Sequence, residues 1–386
     1  MSLWLTKGYE KVIRRGDPLW SPRSVAGGDK PLPYKNRGDF QVKNILKNIG
    51  LKIIIVSVSF ALAFATGEVF FRLFKRQNIV PRYVKTGDNG IRENISDVRG
   101  KMITYDYRHE FSTNSQGFRG KKEYSLNKSS DKYRIIVLGD SVTLGHGVGD
   151  DETFSAVLER KLSLVKPTEV INMGVSGYGT AEELIQLREV GLKYSPDLVV
   201  LAYFPNDPYN NVVSRLFKLE GNKLVREKKD FVPAIFIRDR LYNVPGYSFL
   251  SQHSHVVNFV RNSFSYFFMK KLAKDNGVNT DFGRVTEKEA ILTQQLIDEF
   301  IDEVRSKSIP LIILNIPLLN EGKFQSNLPL NRLKMSTDAH IVDVQDIIYA
   351  GYSSNELSYA RDCHPKPLAH KLIGEWLALF TDKLMM

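Results

Sequence analysis

The chain begins polar and then turns abruptly apolar. Residues 1–50 are rich in Gly, Pro, Lys and Arg and show no apolar period, which predicts a disordered tail. The nineteen residues between Lys52 and Arg72, IIIVSVSFALAFATGEVFF, carry one charge, Glu68. As a helix they would span about 29 Å, enough for the hydrocarbon core of a bilayer. A core helix of a soluble protein would show a polar stripe, which this segment lacks. Ala63-Phe64-Ala65 resembles a signal-cleavage site, but about fifty preceding residues are too many for a typical cleaved signal. The expectation is an uncleaved transmembrane anchor over residues 51–73, in contact with the lipid bilayer. Glu68 lies near one end of it, with Arg72, Lys75 and Arg76 following at interface depth. Basic residues flank both sides, so charge does not decide the orientation.

Residues 77–130 are polar and irregular. They read as a linker with a hairpin ending in FSTNSQGFRG, where Asn114 to Gly117 supply turn chemistry. A regular alternation then begins. Strands are predicted at Arg134–Leu138, Glu169–Asn172, Asp197–Tyr203, Leu311–Asn315 and His340–Val344. Helices are predicted at Thr153–Leu164, Ala181–Tyr194, Glu287–Ser306 and Pro367–Lys383. Continuous Val/Ile/Leu strands separated by helices imply an α/β domain over residues 131–386, with a mostly parallel sheet covered on both faces. Residues 208–285 break the rhythm with a hairpin, LFKLEGNKLV, turning at Gly221-Asn222, and an aromatic helical stretch around Phe249–Phe268. This insertion leaves the carboxyl end of the third strand, where it can roof the ligand crevice of an open parallel sheet.

The 386 residues suffice for two or three domains, and one cysteine, Cys363, excludes an internal disulfide and four-cysteine metal sites. The net charge of +11 is unevenly placed. Residues 1–50 hold ten Lys/Arg against four Asp/Glu, and residues 51–76 hold four against one. The basic excess therefore surrounds the apolar segment, which fits a lipid-facing flank better than a nucleic-acid surface.

Four loop segments carry candidate chemistry. Val137 to Gly149, VLGDSVTLGHGVG, runs from an apolar strand into a Gly-Asp-Ser turn. It lacks the lysine of a phosphate-binding loop and fits no dinucleotide-binding glycine register. The other reading makes Ser141 a nucleophile, which needs a neighbouring base. Among seven histidines, His364 stands out in ARDCHPKPLAH, with Asp362 two residues before it. An aspartate there can fix the imidazole tautomer, although a lone His-Pro at a helix start is also an ordinary surface turn. An oxyanion hole needs donors. Asn172-Met-Gly-Val-Ser-Gly177 closes the second strand and Pro205-Asn206-Asp207 the third. A glycine backbone N–H and an asparagine amide are suitable donors. The ordered succession of Ser, Gly and Asn at strand ends, with His before the last helix, joins these separately common loops.

On those residues the chain resembles the SGNH (GDSL-type) hydrolases, whose four blocks carry Ser, Gly, Asn and His. The blocks stand here as GDSVTLGHGV, NMGVSGYGT, FPND and DCHP. TNSQGFRG is similar to a segment that precedes the first block in membrane-anchored bacterial members. The resemblance covers about residues 110–205 and 286–386. It implies a three-layer α/β/α, flavodoxin-like fold, with Ser141 as nucleophile, His364 as base and Asp362 as acid. The implied oxyanion hole comprises the Ser141 N–H, the Gly177 N–H and the Asn206 amide. The chain departs from the family twice. The usual D-x-x-H becomes D-x-H, with Arg361 three residues before His364, and Phe204 stands where a glycine is common. The latter predicts a narrowed pocket.

The resulting expectation is a single-pass membrane serine esterase with its catalytic domain outside the cytoplasm, on the periplasmic side. Its substrate would be a small-molecule, glycan or lipid ester of the cell envelope, and no metal or organic cofactor is implied. The same constellation serves O-acyltransferases, and a silent glycan-binding module on this scaffold is the rival from another class.

Overall fold

The computed structural model describes residues 37–385 apart from 222, 232–234, 276–284, 321–322, 329–338 and 363. The chain divides into two units, Met1–Leu62 and Ala63–Met386. The described part of the first unit is helical and belongs to α1, Arg37–Phe74. Within α1, Leu46–Phe74 has a mean hydropathy of 2.1 and, among the described residues, is the one helix long and apolar enough to cross a membrane. The helix therefore takes in residues 37–50, which composition alone assigns to the tail. Propagating a formed helix adds one hydrogen bond per residue fixed, so it continues through Asn48 and Gly50 at a cost of about 1 kcal/mol or less each. Residues 1–36 lie outside the described residues.

In the second unit, residues 77–130 differ from the expected linker. They form two antiparallel hairpins, β1 (Val84–Thr86) with β2 (Arg92–Asn94) and β3 (Arg99–Ile103) with β4 (Arg108–Ser112). The second is the hairpin expected before TNSQGFRG. Met102 and Phe111 from it bury against Leu144, beside the Gly-Asp-Ser turn.

The alternating part follows as β5 (Tyr133–Gly139), α2 (Ser141–Leu144), α3 (Phe154–Leu162), β6 (Thr168–Asn172), α4 (Thr180–Glu189), β7 (Leu198–Tyr203) and α5 (Asp207–Ser214). The insertion contributes the hairpin β8 (Phe217–Glu220) with β9 (Lys223–Arg226), then α6 (Ile235–Tyr242), α7 (Tyr247–His253) and α8 (His255–Asp275). Next come α9 (Glu287–Arg305), β10 (Leu311–Asn315), the hairpin β11 (Leu318–Asn320) with β12 (Lys323–Gln325), β13 (Ala339–Asp343), α10 (Ser354–Leu357) and α11 (Pro367–Met385).

The central sheet is entirely parallel, in the order β13-β10-β7-β5-β6. This is the flavodoxin-like order, and its direction reverses between β5 and β7. Both faces are buried, which explains the unbroken apolar strands. Ile136, Leu138, Ile171, Val199, Leu201 and Ile313 face α4 and α9. Their neighbours Ile135, Val137, Val170, Val200, Ile312 and Leu314 face α3 and α11. The three-layer α/β/α expectation therefore holds.

The insertion packs on the β1–β2 hairpin. Asp239 of α6 accepts a hydrogen bond from Arg82 at 2.7 Å, and Arg238 donates to the Val84 carbonyl at 2.7 Å. It is this hairpin, backed by the insertion, that brings side chains to the loops at the carboxyl end of the sheet.

Candidate active site

The site lies where β5 and β7 end, at the reversal of strand order. Gly139 closes β5 with φ +157°, and a Cβ there would stand 2.1 Å from Thr143 Oγ1 and 3.1 Å from the Ala202 carbonyl. The strand can therefore turn straight into α2 only with a glycine. Asp140, wholly buried, accepts the Val142 N–H at 2.8 Å, a local capping bond of the kind aspartate makes at a helix start. Ser141 is the first residue of that turn.

His364 comes from the segment between β13 and α11, 223 residues away in sequence. Its Nε2 lies 2.9 Å from Ser141 Oγ. Its Nδ1 contacts Asp362 Oδ1, and its backbone N–H donates to the same oxygen at 3.1 Å. An ionised carboxylate can only accept, so Nδ1 carries the proton and Nε2 is free to accept from the serine hydroxyl. Burial pushes the Asp362 carboxyl up, but its bonds with His364 and Tyr107 outweigh this and hold it well below the usual carboxylate range. Asp362 is thus an anion throughout the neutral range. The D-x-H spacing reaches the imidazole because one oxygen serves both the ring and the backbone of His364.

Tyr107, on the turn between β3 and β4, donates to Asp362 Oδ2 at 2.9 Å. Its ring packs on His109 and Tyr359, at 5.3 and 4.9 Å between centroids. Burial first, then the Asp362 charge, raise its phenol above the ordinary value and keep it a donor. Sequence reasoning missed this residue because nothing local in YDYRHE marks a partner 255 positions away.

Two of the expected oxyanion donors close the neighbouring strands. Gly177 follows β6 with φ +79°, a backbone conformation that favours glycine, and the Arg92 guanidinium lies against its open side. Arg92, from β2, donates to the Gly177 carbonyl and lies 3.8 Å from the buried Glu182. Asn206 follows β7, and its Nδ2 donates to Asp140 Oδ2 at 3.1 Å. That bond fixes the amide plane and leaves the second N–H of Nδ2 for another acceptor. Burial raises the Asp140 carboxyl. Ser141, Gly177, Asn206, His364 and Asp362 are therefore gathered by three strand ends and the loop before α11.

His146 also joins the site, unforeseen beyond its place in the glycine run. Its Nε2 lies 2.9 Å from the Tyr83 hydroxyl and 3.0 Å from Ser176 Oγ, and its ring centroid is 5.0 Å from that of His364. Burial, then the neighbouring His364, hold its pKa well below the ordinary value, so it stays neutral. Asp207, the other acid near the third block, bonds to Thr180 at 3.2 Å and to no histidine; burial, then Asp140, push it well up. Phe204 is buried in the core cluster that faces α3 and α11. Cys363 lies outside the described residues. Among the described residues no group of three or more His, Cys, Asp or Glu has the arrangement of a metal site.

No family model matches the chain, and no curated protein matches it. Solved structures do. A two-domain esterase active on acetylated mannans is 13% identical with a TM-score of 0.37, the match covering 66% of this chain and 50% of that one. TesA is 15% identical, TM-score 0.35, with 66% and 99% covered. Axe2, an acetylxylan esterase from Geobacillus stearothermophilus, is 15% identical, TM-score 0.36, with 65% and 93% covered. The chain thus spans half the length of the mannan esterase and nearly all of the other two.

Proposed function

We propose that the chain is a membrane-anchored serine ester hydrolase of SGNH type. One observation carries this reading: the Ser141 hydroxyl lies 2.9 Å from His364 Nε2, while Asp362 engages the opposite ring nitrogen. A weakly nucleophilic hydroxyl becomes competent when a positioned base takes its proton. In the proposed reaction, Ser141 Oγ attacks the ester carbonyl and its proton passes to His364 Nε2. The Asp362 carboxylate stabilises the imidazolium. The Ser141 and Gly177 backbone N–H groups and the free Asn206 N–H hold the oxyanion, where charge develops. His364 returns the proton to the leaving alkoxide, which departs as an alcohol. Water then gives its proton to His364, attacks the acyl-enzyme and releases the acid, and Ser141 is regenerated.

The membrane-length helix just ahead of the catalytic unit favours a substrate at the membrane, an O-acyl group on a cell-envelope carbohydrate or lipid. The family resemblance favours an extracytoplasmic, periplasmic-side placement of that unit. The test uses the full chain in detergent. Wild type should label with a fluorophosphonate and turn over short p-nitrophenyl esters. Ser141→Ala should lose the label and lower kcat by about 10³-fold or more. Turnover near the wild-type level in that variant refutes the reading.

A further inference from the structure

Glu68, the lone charge in the apolar segment, has a partner in the insertion. Its carboxylate accepts the His255 N–H at 3.0 Å, the Val256 N–H at 3.1 Å and the Ser254 hydroxyl at 2.9 Å. These are the otherwise unpaired donors at the start of α8, and a carboxylate there also opposes the positive end of the helix dipole. Arg72, one turn on, pairs with Glu68 at 2.8 Å and donates to the His253 carbonyl at 2.8 Å. Apolar contacts flank this latch. Phe71 packs on Phe259 at 4.6 Å between centroids, and Gly67 leaves room for Val256, whose methyl would lie only 3.3 Å from a Cβ at that position. The last turns of the membrane-length helix and the first turns of α8 are therefore one packed joint.

Among the described residues, the face of α8 that makes this joint continues without a partner. Val256, Val260, Phe264 and Phe267 recur at helical spacing on one side. Val256 touches α1, whereas Val260, Phe264 and Phe267 are 61%, 56% and 68% exposed. Tyr266 beside them is 62% exposed. The last turns carry Lys270, Lys271 and Lys274. Aromatic side chains are favoured at a membrane interface, and lysines that follow them along the same side of the helix can extend to anionic headgroups.

We propose that α8 is a second membrane contact, lying along an anionic bilayer surface with Val260, Phe264 and Phe267 in the acyl boundary and Lys270, Lys271 and Lys274 on the headgroups. Lipid is the occupant because the exposed face is continuous with the one packed on the end of the bilayer helix. Glu68 then acts as the latch that starts α8 at interface depth, which accounts for a charge otherwise costly in that segment. The inference rests on α1 being a bilayer anchor.

The test uses the full chain in vesicles of equal parts phosphatidylcholine and phosphatidylglycerol. A Cys363→Ser background carries Phe267→Cys or, on the opposite face, Ser265→Cys, each labelled with an environment-sensitive nitrobenzoxadiazole dye. The dye at 267 should emit further to the blue than at 265, and should be quenched by spin-labelled lipid and shielded from iodide. Lys270→Glu/Lys271→Glu/Lys274→Glu should reduce that shift in the mixed vesicles but not in pure phosphatidylcholine. Carbonate extraction reads α1 separately. A chain that resists extraction yet shows equal, iodide-accessible emission at both positions refutes the docking of α8 alone, whereas release into the soluble fraction refutes the anchor as well. A blue shift in detergent that grows with protein concentration would assign the face to a second copy of the chain and overturn the lipid proposal.

Discussion

Replacing Asp362 by Asn isolates what its charge contributes, because the local geometry preserves everything else. In many triads the amide turns its N–H₂ toward the imidazole and selects the wrong tautomer, at about 10⁴-fold in kcat. Here the His364 backbone N–H donates to Oδ1 at 3.1 Å, so an acceptor is required at that position. On the other side, the Tyr107 hydroxyl at 2.9 Å from Oδ2 can rotate to accept from an amide N–H. The Asp362→Asn variant should therefore keep its amide oxygen on Nδ1–H and its amide nitrogen on Tyr107. What is lost is the attraction between carboxylate and imidazolium. Two unit charges about 4 Å apart at an effective dielectric constant of about 20 interact by about 4 kcal/mol. The side chains of His364 and Asp362 are 19% and 21% exposed, which trims that figure. We expect Asp362→Asn to lower kcat/KM by about 10²–10³-fold, and Asp362→Ala, which also frees the ring, by about 10⁴-fold or more. Tyr107→Phe alone should cost about tenfold or less, but combined with Asp362→Asn it should cost more than the sum, since the amide nitrogen loses its acceptor. Steady-state hydrolysis by wild type and these four variants decides. If the Asn variant is as poor as the Ala variant, or the Tyr107 and Asp362 changes simply add, the tautomer argument is wrong. If no variant loses tenfold, Asp362 does not act on His364.

Asn206→Ala should lower kcat by about 10²–10³-fold with KM little changed, because the amide is needed where charge develops; it should also destabilise the fold by about 1–3 kcal/mol, since buried Asp140 loses a donor. Burial raises the Glu182 carboxyl from 4.5 to about 7. Folding therefore takes up a proton above pH 4.5, so the stability present below that pH should decline as pH rises toward about 7. Glu182→Gln should remove about 3 kcal/mol of that decline, read by thermal unfolding across the range; an unchanged pH slope refutes it. For topology, external protease on spheroplasts should digest the catalytic unit and spare an N-terminal tag, and the opposite protection would reverse the orientation.

The local pattern already carried the scaffold and the reacting groups. Short unbroken runs such as Arg134–Leu138 and Leu311–Asn315, bounded by turn residues and alternating with helical patterns, read as strands buried on both faces of a parallel sheet. Ser141, Gly177 and Asn206 were legible because each sits in the loop that follows such a run, at the sheet's carboxyl end. His364 was legible because it stands, with a proline after it, just before the last helix. Tertiary structure alone decided the supporting contacts. Tyr107 on Asp362, Arg92 on the Gly177 carbonyl, Tyr83 and Ser176 on His146, and Glu68 on the start of α8 each join residues at least 30 positions apart in sequence. No periodicity encodes such a pairing. Within residues 77–130 the sequence marked the hairpin before TNSQGFRG but not β1–β2, because a short two-stranded hairpin buries few side chains and its pattern is faint. Likewise the apolar segment predicted a bilayer helix from length and hydropathy, but why it carries a glutamate emerged only once the fold had brought the unpaired N–H groups of α8 to meet it.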